Sequence, residues 1–461
     1  MQILIIIALV IIGILLFELI IFSHEFGHFI TAKKSGVKVN EFSLGMGPKI
    51  FGFTKGETDY SLRLLPIGGY CAMEGEDEDS ADPRAFNNAK VWKRMIIIIA
   101  GAVMNIILGF IMMFAYTVQA DSYASTTIGG FNPNSVSANC GIEAGDKITE
   151  LNGYSIWNSR DLQFAMATMN CKNVDGKTLQ IYKQDCAQES CAVYNKILDN
   201  NKNIDNSTVD KLFEILSDGC SKINASPSKE DAYNIYKQTG ESLYNEYYKG
   251  KKTFEPVNIK EEDTRLRYTS DVKLIRDGEE VEIDDVQFFT YYKDEEDRKE
   301  GKTSLSFDFY LTEIDKTFGT VIGETVSNTC SMAKMVWTSL VWLVQGRFSF
   351  TDLSGPVGIA TAVTQVASIG LETSFMDAFN NILYVMIMIT INLGIFNMLP
   401  FPALDGGRFL FLLIEWIFRK PIPRKAEQIV NSIGFALLMV FMLVVTVKDV
   451  WQLVTGTMPG M

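Results

Sequence analysis

Long apolar runs alternate with polar stretches along the chain, and their lengths separate membrane spans from soluble parts. Residues 3–22, 95–118, 382–399 and 429–447 are each apolar and long enough to cross a bilayer as a helix. Residues 325–345 are apolar too, with Trp337 and Trp342 and only Lys334 charged, a pattern that fits either a span or a helix lying at the interface. Residues 353–369 are small and apolar and open on a helix-breaking Gly-Pro. A looser two-residue alternation over 37–50 and 58–70, broken by Gly45, Gly47, Gly68 and Gly69, predicts short antiparallel strands that dip towards the membrane.

The stretch between the second and third runs has a different texture. Residues 141–153 read as a turn, a short apolar strand and a second turn ending in Asn152-Gly153, and a helical stretch follows over 159–169. Residues 185–265 are rich in Lys, Asp, Asn, Ser and Tyr, with helical periodicity at 209–216 and 232–248. A strand pattern with an Asp277-Gly278 turn resumes over 269–282. These features predict a small mixed domain over 120–320 that carries an insertion of polar helices near 185–265.

Composition agrees with that division. The chain has 461 residues and a net charge of −13, yet 47% of its residues are hydrophobic, and its mean hydropathy is +0.10. Acidic soluble parts joined to membrane spans combine these values, and the acidic balance argues against a nucleic-acid partner. Ten Lys or Arg residues lie between Thr31 and Arg94, and Arg408, Arg419, Lys420, Arg424 and Lys425 follow the third span. Both loops therefore read as cytoplasmic, which places 120–320 and the C-terminus outside. The N-terminal run lacks a basic start and a small-residue cleavage site, so it reads as a span and not as a signal peptide.

The chemistry sits at the end of that first run, in His24-Glu25-Phe26-Gly27-His28. Two imidazoles four residues apart share one helix face and can reach a single ion, for which zinc is the usual partner. Glu25 is placed to act as a general base. These are the only two histidines in the chain, so a third protein ligand has to be of another type. Asp405, in the segment Asn397 to Arg408, is the best-placed carboxylate. If residues 325–345 lie at the interface, the 382–399 helix brings Asp405 to the face that holds His24 and His28; if they cross, it ends on the other face. An interfacial helix is therefore the expectation for that segment. Pro400 and Pro402 break the helix before Asp405, and Gly406 and Gly407 permit close approach to a metal. Asn397 can bond a substrate backbone or cap the broken helix.

Other residues carry weaker signals. Glu18 and Asn105 are polar groups inside spans, the first a functional or packing candidate and the second read as packing, next to Gly101 and Gly109. Cys140, Cys171, Cys186, Cys191, Cys220 and Cys330 fall on the predicted outer side, where disulfides are permitted, and their spacing fixes no pairing. The strand pair can serve as an edge for an extended substrate or as a structural hairpin.

These motifs resemble the site-2 protease family of intramembrane zinc metalloproteases, in its bacterial branch with an extracytoplasmic PDZ insertion. His24, Glu25 and His28 match the family's His-Glu-x-x-His, and Asn397 with Leu404-Asp405-Gly406 matches its second motif. Gly68-Gly69-Tyr70 resembles the end of its membrane-dipping hairpin, and residues 354–359 its pre-span motif. Gly141-Ile142-Glu143-Ala144-Gly145-Asp146 resembles the core of a PDZ domain, with Ile142 at the usual Leu position. The resemblance covers roughly 1–180 and 265–460.

It implies a polytopic α-helical membrane protein with four transmembrane helices, a membrane-associated β-hairpin and an inserted PDZ-like domain. Its parts are the zinc-motif helix (1–30), hairpin loop (31–93), second span (94–119), outer domain (120–320), interfacial helix and Gly-Pro segment (325–370), third span with Asp405 (376–408), cytoplasmic loop (409–428) and last span (429–461). One Zn2+ per chain would be held by His24, His28 and Asp405, with Glu25 catalytic and Asn397, Gly68 and Gly69 positioning substrate. The implied substrates are single-span membrane proteins, namely anti-sigma factors and signal-peptide remnants, cleaved in a bacterial cell membrane near its cytoplasmic face. An ion or metal transporter would want more intramembrane acids than Glu18. An inactive peptide-binding scaffold would tolerate loss of Glu25, and a tethered soluble-type peptidase would carry its metal motif in the outer domain.

Overall fold

The computed structural model describes residues 2–76, 80–132, 135–172, 179–199, 204–259, 267–289, 305–347 and 353–455. The chain divides into two units, one made of Met1–Asp121 with Lys316–Met461 and the other of Ser122–Asp315.

The first unit is built on helices α1 (Gln2–Ser35), α2 (Val91–Thr117) and α9 (Phe375–Asn397). Ile20, Met112, Met113, Ile382, Met386, Ile387 and Ile391 form its buried core. Small residues set how closely the helices approach. A Cβ on Gly109 would lie 2.7 Å from Ile391, and one on Gly394 3.1 Å from the Ala102 carbonyl. Together with α11 (Arg424–Thr455), these are the four helices among the described residues long and apolar enough to cross a membrane.

Strands β1 (Val39–Lys55) and β2 (Thr58–Met73) form more than a simple hairpin. The first half of β1 is flanked on both sides: Ser43 pairs with Tyr70 and also with Ser61, while Gly52 pairs with Ser61 from the other side. Both strands fold back on themselves, leaving the segment around Gly69 to Met73 at one edge. Arg63 holds the fold-back, its guanidinium donating to Ser43 Oγ (3.0 Å), Gly47 O (2.8 Å), Glu41 Oε1 (2.8 Å) and Tyr70 Oη (2.6 Å). Val39, Phe42 and Cys71 pack this sheet on a second core with Ile97 and Leu412.

Helices α7 (Phe318–Val344) and α8 (Pro356–Thr373) precede the third span. Helix α7, which contains residues 325–344, runs lengthwise along α2 and is not among the four helices long and apolar enough to cross a membrane. Lys316 Nζ donates to Val118 O at one end (2.7 Å), and Trp337 shares a cavity with Ile99 and Leu399 at the other. Helix α8 then pairs antiparallel with α9, with Asn381 Nδ2 donating to Val366 O (3.0 Å) and Gly370 against Ala378. The buried stripe of α7 includes Thr325, Asn328, Thr329 and Ser331, while Ile322, Val326 and Trp337 are exposed. The pre-span motif also gains a physical role. The N–H groups of Gly355 and Gly358 donate to the buried Asp449 Oδ2 of α11 (2.9 and 2.8 Å), satisfying two orphan donors at the start of α8.

The second unit holds an antiparallel sheet in the order β6-β7-β4-β3-β9, with β5 on β4 and β8 on β7. Its strands are β3 (Ser122–Phe131), β4 (Lys147–Leu151), β5 (Tyr154–Ser155), β6 (Asn170–Lys172), β7 (Arg267–Arg276), β8 (Glu279–Phe289) and β9 (Phe309–Asp315). Asp277 and Gly278, both at positive φ, make the β7–β8 turn. Helix α3 (Ser159–Ala165) follows β5, capped by the Asn158 side chain. The polar insertion is three helices, α4 (Leu179–Asp199), α5 (Asn206–Ala225) and α6 (Lys229–Tyr248), around their own core of Cys186, Leu216, Cys220, Ile223, Tyr236 and Phe254. It leaves β6 and returns on β7, and these strands pair directly (Cys171 with Tyr268).

Candidate active site

The His24–His28 pair sits on α1 where that helix faces α2. Gly27, between them, lies against the Ala100 backbone, and Gly101 of α2 faces both imidazoles, 2.8 Å from His24 Cε1 to where a Cβ would stand. No side chain larger than hydrogen fits at Gly101 without displacing a ring. His28 Nδ1 lies 2.8 Å from Ile97 O, which makes it the donor and leaves Nε2 with a free lone pair. Asp405 begins α10 (Asp405–Phe418) and completes the group.

The separations are those a small tetrahedral cation imposes. His24 Nε2 and His28 Nε2 are 3.2 Å apart, and Asp405 Oδ2 lies 3.2 and 3.3 Å from them. An ion bound at about 2.0–2.1 Å in tetrahedral geometry keeps its ligand atoms roughly 3.3–3.4 Å apart. Both imidazoles are buried, and Asp405 Oδ2 is a buried oxygen with no conventional hydrogen bond among the described residues. Two imidazoles and one carboxylate, with no fourth group in the cluster among the described residues, fit a zinc with an open position.

Glu25, next to His24 on α1, lies between the metal-binding group and the sheet. A Cβ on Gly69 would stand 3.5 Å from Glu25 Cγ, and the Cys71 N–H is within bonding reach of the carboxylate. The Gly69 to Cys71 edge thus runs beside the acid. Gly68, at φ +91°, sits under Met46. Burial, with Glu25 and Glu76 adding like charge, pushes the Cys71 thiol up. Asn397 Nδ2, at the end of α9, is 3.4 Å from His24 Nε2.

The other sequence candidates lie apart from this group. Cys140, Cys186, Cys191 and Cys220 belong to the 122–315 unit and Cys330 to α7 in the helical unit, while the Cys171 side chain lies outside the described residues. Asn105 is fully buried, and neither polar atom of its side chain has a partner among the described residues, while its backbone oxygen accepts from Thr390 Oγ1 (3.3 Å). Sequence reading noted Gly101 only as a packing glycine and passed over the Ile97 carbonyl, which no side-chain pattern signals.

The profile of Peptidase family M50 matches residues 12–441. The chain belongs to that family. It is similar to a protein of Clostridium acetobutylicum named as a zinc metalloprotease, at 32% identity over 441 residues, covering 96% of this chain and 97% of that one. Zinc metalloprotease RasP of Bacillus licheniformis is 32% identical over 458 residues (95% and 98%). Regulator of sigma-W protease RasP of Bacillus subtilis is 29% identical over 463 (95% and 97%). This M50 peptidase is therefore a multi-pass membrane zinc metalloprotease of the site-2 type, and zinc is its cofactor.

Proposed function

We propose that this peptidase hydrolyses peptide bonds in or near the transmembrane segment of single-span membrane proteins, with one Zn2+ held by His24, His28 and Asp405. The observation that carries the reading is the triangle of 3.2–3.3 Å between the three donor atoms, drawn from helices more than 370 residues apart in the chain. Bound zinc would supply a Lewis acid for the scissile carbonyl and the attacking water. Glu25 takes the proton of that water and returns it to the leaving amine. An extended substrate backbone adds beside the Gly68 to Cys71 edge, within reach of Glu25, and Asn397 bonds it from α9. A helical substrate has to unwind first, which favours segments with helix-breaking or polar residues.

The basic loops place the zinc near the cytoplasmic face of a bacterial cell membrane and the 122–315 unit outside. The B. subtilis relative's name, a regulator of sigma-W, supports anti-sigma factors as one substrate class; signal-peptide remnants are a second. The outer unit is read as a PDZ-like module. In its Gly145-Asp146 turn the Asp146 carboxylate accepts from the Glu143 N–H (2.7 Å) and pairs with Arg276 (2.7 Å). Disulfides among the outer cysteines remain part of this reading.

Purified wild type, Glu25→Gln and Asp405→Ala, assayed for bound zinc and for cleavage of a single-span substrate, test the assignment. Wild type and Glu25→Gln should hold about one zinc, Asp405→Ala much less, and wild type alone should cleave. Full zinc retention by Asp405→Ala would remove it as a ligand.

A further inference from the structure

The loop from Leu399 to Leu404 that delivers Asp405 has an unusual backbone. Ala403 has φ +74°, the largest positive value of any non-glycine residue among those described. L-residues avoid this region, so something has to hold it. The loop satisfies most of its own donors: Phe401 N–H donates to Leu399 O (2.7 Å) and Leu404 N–H to Phe401 O (3.2 Å), while Pro400 and Pro402 have none. The Ala403 N–H leaves the loop and donates to Asn431 Oδ1 on α11 (3.3 Å). One turn further along α11, Gly434 lies against Pro402, 2.8 Å from its carbonyl oxygen to where a Cβ would stand. A cavity of about 390 Å3 lined by Ala403, Asp405, Arg408, Asn431, Ser432 and Phe435 adjoins the loop, so little else packs it from that side.

We propose that Asn431 is a positioning residue for the third metal ligand: by accepting the Ala403 N–H it holds the left-handed turn, and hence Asp405, in register with His24 and His28. Helix α11, most of whose apolar surface faces away from the protein, is then part of the metal site. The proposal rests on Asp405 being a ligand. A side chain without an acceptor at 431 frees the turn to relax, which moves Asp405 by way of Leu404 alone. Glycine at 403 adopts the left-handed conformation without strain and lessens the need for the anchor.

Zinc affinity of the detergent-solubilised full chain, measured by chelator competition, and the visible spectrum of its Co2+ form test this without reference to activity. Asn431→Leu should bind zinc at least about tenfold more weakly and alter the Co2+ bands, with the unfolding midpoint of the metal-free protein unchanged. Ala403→Gly combined with Asn431→Leu should recover a large part of the lost affinity. Wild-type affinity in Asn431→Leu would overturn the proposal. So would a loss that Ala403→Gly does not relieve, because it would assign the effect to helix packing. Wild-type affinity in Asp405→Ala would overturn the ligand assignment itself, and the proposal with it.

Discussion

At the residue scale the site depends as much on what is missing as on what is present. Gly101 lets α2 come so close to α1 that the Ile97 carbonyl reaches His28 and both rings pack on bare backbone. Gly101→Val should therefore push the imidazoles apart. Overpacking a tight contact costs about 1–3 kcal/mol, and if half of that falls on ligand geometry, zinc affinity drops by roughly two- to thirteenfold. Equilibrium dialysis against zinc would show it; unchanged affinity would mean that the helices simply separate. Glu25→Gln has the opposite signature. It removes a proton acceptor and no ligand, so zinc stays while cleavage falls by about 10²–10⁴, the usual worth of a general base.

At the element scale the local motifs were legible and the long-range ones were not. His24 and His28 announce themselves because four residues is one helical turn, and Asp405 followed from counting membrane crossings. The packing of helix α7 was hidden for a physical reason: its polar stripe of Thr325, Asn328, Thr329 and Ser331 is turned inward. Periodicity reveals two faces but not which one is buried, and in a membrane the inner face is often the polar one. The fold-back of β1 and β2 was equally hidden, since it depends on Arg63 reaching residues from both strands. Asp449 is a further case, a carboxylate 91 and 94 residues from the two glycines it caps. Asp449→Leu would orphan both N–H groups and leave Lys448, 3.0 Å away, without its carboxylate. Each buried group left unpaired costs roughly 1–3 kcal/mol. Amide exchange over 353–360 should accelerate at least tenfold, while Asp449→Asn, which keeps an acceptor, should stay closer to wild type. Equal exchange in both variants would show that the cap contributes nothing.

At the scale of the whole molecule, each unit has its own core, and chain entry and exit are adjacent in the 122–315 unit. Strands β3 and β9 pair from Ser122 with Asp315 to Phe131 with Phe309, and the three-helix insertion leaves and returns on β6 and β7 in the same manner. Excursions that begin and end on neighbouring strands ask little of the parent fold, which is why a long polar insertion is accommodated. Stability of the 122–315 unit should then be separable from the metal site. Its most exposed dependence is Asp146, fully buried, whose carboxylate accepts from Arg276 Nε and Nη2 (2.7 Å each) while the same guanidinium reaches Gly141 O. Asp146→Ala leaves the arginine without its buried partner. Breaking a buried pair costs about 3–5 kcal/mol, and the lower end applies because the Arg276 side chain keeps 27% of its surface. That is a large share of a small domain's stability. Limited proteolysis should cut the Asp146→Ala protein within 122–315 under conditions that leave wild type intact, while bound zinc stays near one per chain. Loss of zinc along with the 122–315 unit would show that the two cores fold as one, and the independence argued from their separate cores would fail.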